Sequence, residues 1–320
     1  MASIGSDLKQ VHVYGPWAET LAGFIRDKFS DLEFVTCTDK DELEACASDV
    51  EVLLCMRPPK ETLAGADKIK WLMTIGAGVD TVLPNPHLRE ECIITNARGV
   101  HIPQIPEFVL GMILALGLRL PEHFRSQAES SWQMRMRRII ADQVVGIVGL
   151  GTIGREIARL ADAIGLRVIG IKKNPEPVPY VEKVYETDEL HTMLSKADFV
   201  VLIAALTPET TGMIGKAELA AMKPEAYLIN VARGAMAVET DLIEALQNGT
   251  IAGAALDVFE TEPLPPESPL WKMENVIITP HIAGARPDYL NAVSELFCRN
   301  LENYLSGEPL FNVVDRDTCY

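Results

Sequence analysis

The sequence predicts an α/β protein built on doubly wound parallel sheets. Three observations carry that expectation. Short apolar runs alternate with stretches of helical spacing along most of the 320 residues. A glycine-rich turn, Gly149-Leu-Gly151-Thr152-Ile153-Gly154, stands between the apolar run 144–148 and the helical stretch Arg155-Glu-Ile-Ala-Arg-Leu-Ala. Beyond that turn, strand and helix signals follow one another regularly.

Each glycine of the turn has a physical job. Gly149 permits the tight turn, Gly151 lets a pyrophosphate approach the backbone, and Gly154 lets helix and strand pack closely. The helix that follows points unpaired N–H groups and the positive end of its dipole at the phosphates. A bare GxGxxG also occurs in purely structural turns. The strand before it and the helix after it favour a dinucleotide site made by Gly149, Gly151, Thr152, Ile153 and Gly154.

Residues 1 to about 100 repeat the alternation on a smaller scale. Residues 11–14, 33–36, 51–55, 70–74 and 92–95 read as strands, and 18–29 and 39–47 as helices. No glycine fingerprint follows the first strand, so this sheet is not expected to hold the cofactor. Gly76-Ala77-Gly78-Val-Asp80 has two readings, an anion-binding nest of backbone N–H groups or a plain strand-to-helix turn. Asn96-Ala-Arg98-Gly99-Val100 reads as a hinge. Residues 108–120 then form a helix apolar almost all round, as expected of one buried in a core or a subunit interface. Residues 130–138 read as a loop with a basic cluster, in which Trp132 suggests docking. Further strands are expected at 166–171, 199–203, 226–230, 251–257 and 276–278, with helices at 189–195, 216–221 and 239–247. That is a doubly wound sheet of about six strands. A helix at 287–305 and a short extension at 311–314 are expected to return to the first domain and make it discontinuous.

Composition narrows the partners. A formal charge of −16 repels nucleic acid, which is discounted. Six cysteines without a CxxC pair read as reduced thiols of an intracellular protein. With no apolar signal core and no run long enough to span a bilayer, a cytoplasmic protein without membrane contact is expected. His87, His101 and His123 show no metal-ligand spacing, so no metal is expected.

Three ionisable residues fall at the carboxyl ends of successive strands: Arg233, Glu262 and His281. Singly, each has a bland reading, as a surface charge, a turn carboxylate and a histidine after a proline. Together, beside a dinucleotide site, they suit hydride transfer to a keto acid. Arg233 can hold a carboxylate with a bidentate fork. His281 can protonate a carbonyl oxygen as it becomes an alkoxide. Glu262 can orient the imidazole and favour its cationic form.

At these residues the sequence resembles the D-isomer-specific 2-hydroxyacid dehydrogenase family. GLGTIG, INVARG, ALDVFETEPLP and ITPHIAG match that family's signatures in order, and GAGVD matches its substrate loop. The resemblance covers essentially the whole chain. It implies a doubly wound Rossmann cofactor domain, residues 101–286, inserted into a flavodoxin-like, discontinuous substrate domain, residues 1–100 and 287–320. It implies that Arg233 binds substrate, that Glu262 and His281 form the acid–base pair, and that Ala77 and Gly78 receive the substrate carboxylate. It places Asp257 at the nicotinamide end and pairs two subunits through helix 107–120. Formate dehydrogenases of this superfamily carry glutamine where this chain has Glu262, which argues against formate.

Two positions depart from the pattern. Members that prefer NAD end the second strand of the cofactor domain with aspartate, where this chain has Lys172 followed by Lys173. The usual proline before Leu206-Thr207-Pro208 is Ala205. The expectation is therefore a homodimeric reductase of small 2-keto acids (glyoxylate, hydroxypyruvate, pyruvate) that yields D-2-hydroxy acids. It uses NAD(P)H, with NADPH favoured over NADH. Lys172, Lys173 and Thr207 join the cofactor site. Arg57 is either a contact for the distal end of the substrate or a solvent-exposed loop residue. The rivals are a phosphoglycerate-type or longer-chain dehydrogenase and a dinucleotide-sensing protein like the corepressors of this fold.

Overall fold

The structure is a computed structural model that describes residues 8–136 and 139–316. It divides into two compact units, one running to His101 and resuming at Arg286, the other Ile102–Ala285.

In the first unit, β1 (Gln10–Tyr14), β2 (Glu33–Cys37), β3 (Val52–Cys55), β4 (Trp71–Thr74) and β5 (Ile93–Asn96) form one parallel sheet in the order β2-β1-β3-β4-β5. β3 and β4 are buried at every position, as strands covered on both faces must be. The order is that of flavodoxin-like sheets. Helix α1 (Ala18–Arg26) ends earlier than residue 29. Lys28 and Phe29 instead donate backwards to Ile25 and Arg26 in a tightened last turn. Helix α2 (Lys40–Cys46) starts where the Asp39 carboxylate accepts from the Glu42 amide at 3.0 Å.

The second unit opens with α3 (Gln104–Gly117) and α4 (Leu120–Ala128). The expected single helix 108–120 is instead two helices. It begins earlier and breaks at Arg119, whose φ of 58° is left-handed. Pro121 explains the break, because it has no N–H for the Gly117 carbonyl and its ring would clash there. Then come β6 (Val144–Val148), α5 (Thr152–Ala163), β7 (Arg167–Ile171), β8 (Lys183–Tyr185), α6 (Leu190–Leu194) and β9 (Phe199–Leu202). After these follow α7 (Lys216–Ala221), β10 (Tyr227–Asn230), α8 (Glu239–Gln247), β11 (Gly253–Leu256) and β12 (Val276–Ile278). The strands form a seven-stranded sheet, β12-β11-β10-β9-β6-β7-β8, in which every pair is parallel. The extra strand relative to expectation is β8, a three-residue edge. The order reverses between β6 and β9, the switch point at which ligands of such sheets bind.

Helix α9 (Tyr289–Ser306) returns to the first unit. Trp71, fully buried, stacks on Phe297 and Tyr304 of this helix at 5.1 and 5.4 Å between ring centroids. Its indole N–H donates to Thr95 Oγ1 at 2.9 Å. The extension after α9 docks at β5, where the Val314 amide donates to the Ile94 carbonyl at 2.8 Å. Trp132 is 100% exposed on the chain, so the expected docking is not made within it. Arg137 and Arg138 of the basic cluster lie outside the described residues. Among the described residues, no single helix is long and apolar enough to cross a membrane.

Candidate active site

The glycine turn joins β6 to α5. Gly149 has φ +109°, and a Cβ there would lie 2.7 Å from the Ala204 amide nitrogen. A Cβ on Gly154 would lie 2.0 Å from the Gly149 carbonyl oxygen, so helix and turn close only around glycine. Gly151 differs, since a Cβ there meets nothing within 4 Å. It is exposed and caps α5, with Thr152 exposed and Ile153 half-buried beside it. The first turn of α5 carries no acid. An open glycine backbone before an uncapped helix dipole fits a dinucleotide pyrophosphate.

At the end of β7, Lys172 does not stand open. Its ammonium donates to Oε1 of Glu176, and Arg155 Nη2 donates to the same oxygen at 2.8 Å. These bonds, Lys172 first, hold the Glu176 carboxyl below its usual range. Lys173 is exposed. Thr207 closes a local turn, its amide donating to Thr210 Oγ1 at 2.8 Å.

The loops after β10, β11 and β12 carry the three ionisable residues. Asn230 braces the first loop, donating to the Arg233 carbonyl at 2.9 Å and accepting from the Ala232 amide at 3.1 Å. The half-buried Arg233 donates through Nη1 to the Ala232 carbonyl at 2.8 Å. A Cβ on Gly234 would lie 1.9 Å from the Phe259 carbonyl carbon, so only glycine lets this loop pass the one after β11. Glu239 and Glu260 tie the same two segments, each carboxylate accepting from the other's amide at 3.0 and 3.2 Å.

From the loop after β11, Glu262 reaches His281. The Glu262 Oε2 atom is 2.7 Å from His281 Nδ1, and its Oε1 accepts from the Phe259 amide at 3.1 Å. Both side chains keep solvent access, 46% for His281 and 36% for Glu262. His281 has φ 54°, a left-handed conformation costing a non-glycine residue about 1–3 kcal/mol. Asp257 holds that turn. It is 1% exposed and accepts from the Thr279 hydroxyl at 2.6 Å, the Ile282 amide at 2.9 Å and the Ala283 amide at 2.8 Å. Its carboxylate thus works inward, on the loop carrying His281.

Ala77, Gly78 and Arg57 belong to the first unit. The loop after β4 ties its carbonyls inward: Gly76 accepts from the Ala97 amide at 2.9 Å, and Ala77 accepts from Asn96 Nδ2 at 2.8 Å. The Ala77 and Gly78 amides take no partner among the described residues. The Tyr289 hydroxyl donates to the Ile75 carbonyl, and burial pushes that phenol up to about 12. Arg57 is exposed in the loop after β3.

Arg155 and the bracing by Asn230 were not expected from the sequence. Arg155 had a signal, its place directly after the last glycine of the turn. Asn230 had only its place at a strand end.

A family model described as D-isomer specific 2-hydroxyacid dehydrogenase, NAD binding domain, matches residues 110–283. The chain is 34% identical over 289 residues to a glyoxylate reductase of Thermofilum pendens, covering 87% of this chain and 85% of that one. It is 32% identical over 297 residues to a D-3-phosphoglycerate dehydrogenase of Methanocaldococcus jannaschii, covering 91% of this chain. The chain spans 56% of the length of that relative. It is also similar to a solved structure, an NADPH-dependent glyoxylate/hydroxypyruvate reductase of Sinorhizobium meliloti in complex with NADP and sulfate. The TM-score is 0.89 at 29% identity, covering 98% of this chain and 100% of that one. By the family model, the sheet order and these likenesses, the chain belongs to the D-isomer-specific 2-hydroxyacid dehydrogenase family.

Proposed function

We propose that the protein reduces small 2-keto acids of the glyoxylate, hydroxypyruvate and pyruvate class to D-2-hydroxy acids. The observation that carries this reading is the 2.7 Å pairing of His281 Nδ1 with Glu262. With Nδ1 engaged, Nε2 is the ring nitrogen that addresses the substrate and gives its proton to the carbonyl oxygen. Bound NAD(P)H supplies the hydride. Arg233 holds the substrate carboxylate through its planar fork. Asp257 positions His281 and, through it, the nicotinamide end of the site. Taken by itself, the first unit offers in the loop after β4 the Ala77 and Gly78 amides, donors of the kind that bind carboxylate oxygens.

The cationic end of β7, Lys172 and Lys173 with Arg155, supports NADPH over NADH. A homodimer through α3 is supported by apolar surface in the same unit. Trp132, Met134 and Met136 are 100%, 89% and 83% exposed, and α3 buries only the stripe containing Ile105, Val109, Ile113 and Leu116. The described cysteines are free thiols, which suits the reducing cytoplasm.

The Methanocaldococcus relative favours a second reading, in which the keto acid carries a phosphate. A panel of 2-keto acids that includes 3-phosphohydroxypyruvate, run with NADH and NADPH and reported as kcat/KM, separates the two. The first reading expects glyoxylate and hydroxypyruvate to lead. A leading phosphorylated substrate would replace it with the second.

A further inference from the structure

Three charged side chains from separate parts of the second unit meet at the end of β7. Lys172 follows the strand, Arg155 stands in the first turn of α5, and Glu176 lies in the loop beyond. One oxygen, Glu176 Oε1, accepts from both Lys172 Nζ and Arg155 Nη2. Arg155 is anchored from behind, its Nε donating to the Leu150 carbonyl within the glycine turn at 3.3 Å. The cluster is open to solvent, with Lys172, Arg155 and Glu176 side chains 28%, 46% and 54% exposed. A second acid, Glu209 in the loop after β9, lies within electrostatic reach of Lys173.

We propose that Glu176 is a specificity-determining residue for the dinucleotide. Its carboxylate occupies the seat between Lys172 and Arg155 that the 2′-phosphate of NADP(H) would take, and so limits discrimination against NAD(H). The proposal rests on reading this unit as the nicotinamide dinucleotide domain. Glu176 is the first acid after β7, and an acid about 20 residues past the glycines is where the ribose 2′-hydroxyl is recognised in such folds. With a 2′-hydroxyl, Glu176 stays in place and accepts its hydrogen bond. With a 2′-phosphate, an anion of about −1.5 to −2 and three acceptor oxygens meets a carboxylate of −1 on the same cations. Ion pairs this exposed are weak, so the phosphate displaces the carboxylate, but binding loses what the displaced pairs contributed. The two cations favour NADP(H) and the acid favours NAD(H), which makes the preference graded.

If Glu176 merely pinned the loop, its loss would move both nucleotides together. Calorimetric titration of the full chain with adenosine 2′,5′-bisphosphate and with 5′-AMP reads the difference without any turnover. Glu176→Gln, with Glu176→Ala as a second variant, is expected to tighten the bisphosphate about tenfold and to leave 5′-AMP within twofold or weaker. Adding Lys172→Met to Glu176→Gln is expected to remove the gain. Equal shifts for both ligands, or no tightening of the bisphosphate, would overturn the proposal and leave the dinucleotide site standing. Wild-type protein that binds neither ligand would overturn both.

Discussion

His281 and Glu262 form a hydrogen-bonded pair, Nδ1 to Oε2 at 2.7 Å, on a backbone bent into the left-handed region at His281. The pair fixes the ring plane and directs its other nitrogen outward. Replacing His281 with Ala is expected to lower kcat by about 10²–10⁴, the usual contribution of a positioned proton donor. Nucleotide affinity, measured by titration, is expected to stay unchanged. Glu262→Gln keeps the shape of the side chain but loses the carboxylate that holds His281 Nδ1 at 2.7 Å, so kcat is expected to fall while nucleotide affinity stays put. An unchanged kcat would remove Glu262 from the pair.

Arg233→Lys keeps the charge and loses the planar fork. KM for the keto acid is expected to rise at least about tenfold, the equivalent of about 1.4 kcal/mol, while KM for the nucleotide stays put. Steady-state kinetics with each substrate varied in turn check this. A near-normal keto-acid KM would show that Arg233 does not hold the carboxylate.

Asp257 reaches His281 only through the backbone. Asp257→Asn turns an amide N–H₂ toward donors that the carboxylate satisfies, and leaving one buried donor unpaired costs about 1–3 kcal/mol. Chemical denaturation is expected to show that loss, and kcat is expected to fall with it as the 279–283 turn loosens. Full stability in this variant would contradict the bracing role.

His12 predicts a pH effect on stability. It lies in β1, is 1% exposed, and neither ring nitrogen finds a partner among the described residues. Burial lowers its pKa from the ordinary 6.5, against weaker pulls from Asp49 and Glu33. Below about 6.5 the unfolded chain takes up a proton that the folded one refuses, so stability falls toward acid and is complete above that value. Thermal unfolding between about pH 7 and 5 is expected to show a steeper loss for wild type than for His12→Leu. Parallel curves would show that His12 binds its proton equally in both states.

The homodimer is expected at micromolar concentration in light scattering, and Leu110→Glu on the half-exposed side of α3 is expected to give monomers. A monomeric wild type would leave the apolar surface of Trp132 and Met134 to another partner.

The alternation of apolar runs was enough to foresee both sheets, because each strand buried on two faces must be apolar throughout. The glycine turn was equally plain, since Gly149 and Gly154 answer to backbone contacts that nothing larger tolerates. Arg233, Glu262 and His281 could be placed beyond strand ends from the sequence, and they stand in the loops after β10, β11 and β12. What stayed hidden depends on distant partners or on short elements. β8 is too short to show a period. The break before α4 lay inside an apolar run, and Pro121 was its only mark. The approach of Cys37 and Cys46, 3.7 Å between sulfurs, has no CxxC spacing to announce it. That Lys172 is paired rather than open was hidden, because its partner Glu176, in the loop beyond β7, is shared with Arg155 of helix α5.

Turnover of 2-keto acids to the D-isomer with His281 as proton donor is decided by chiral analysis of the product from hydroxypyruvate and NADPH, with wild type and His281→Ala side by side. D-glycerate is expected in step with NADPH consumed by the wild type, and a rate lower by about 10²–10⁴ in the variant. Nucleotide binding without any glycerate, formation of the L-isomer, or an unaffected variant would contradict it.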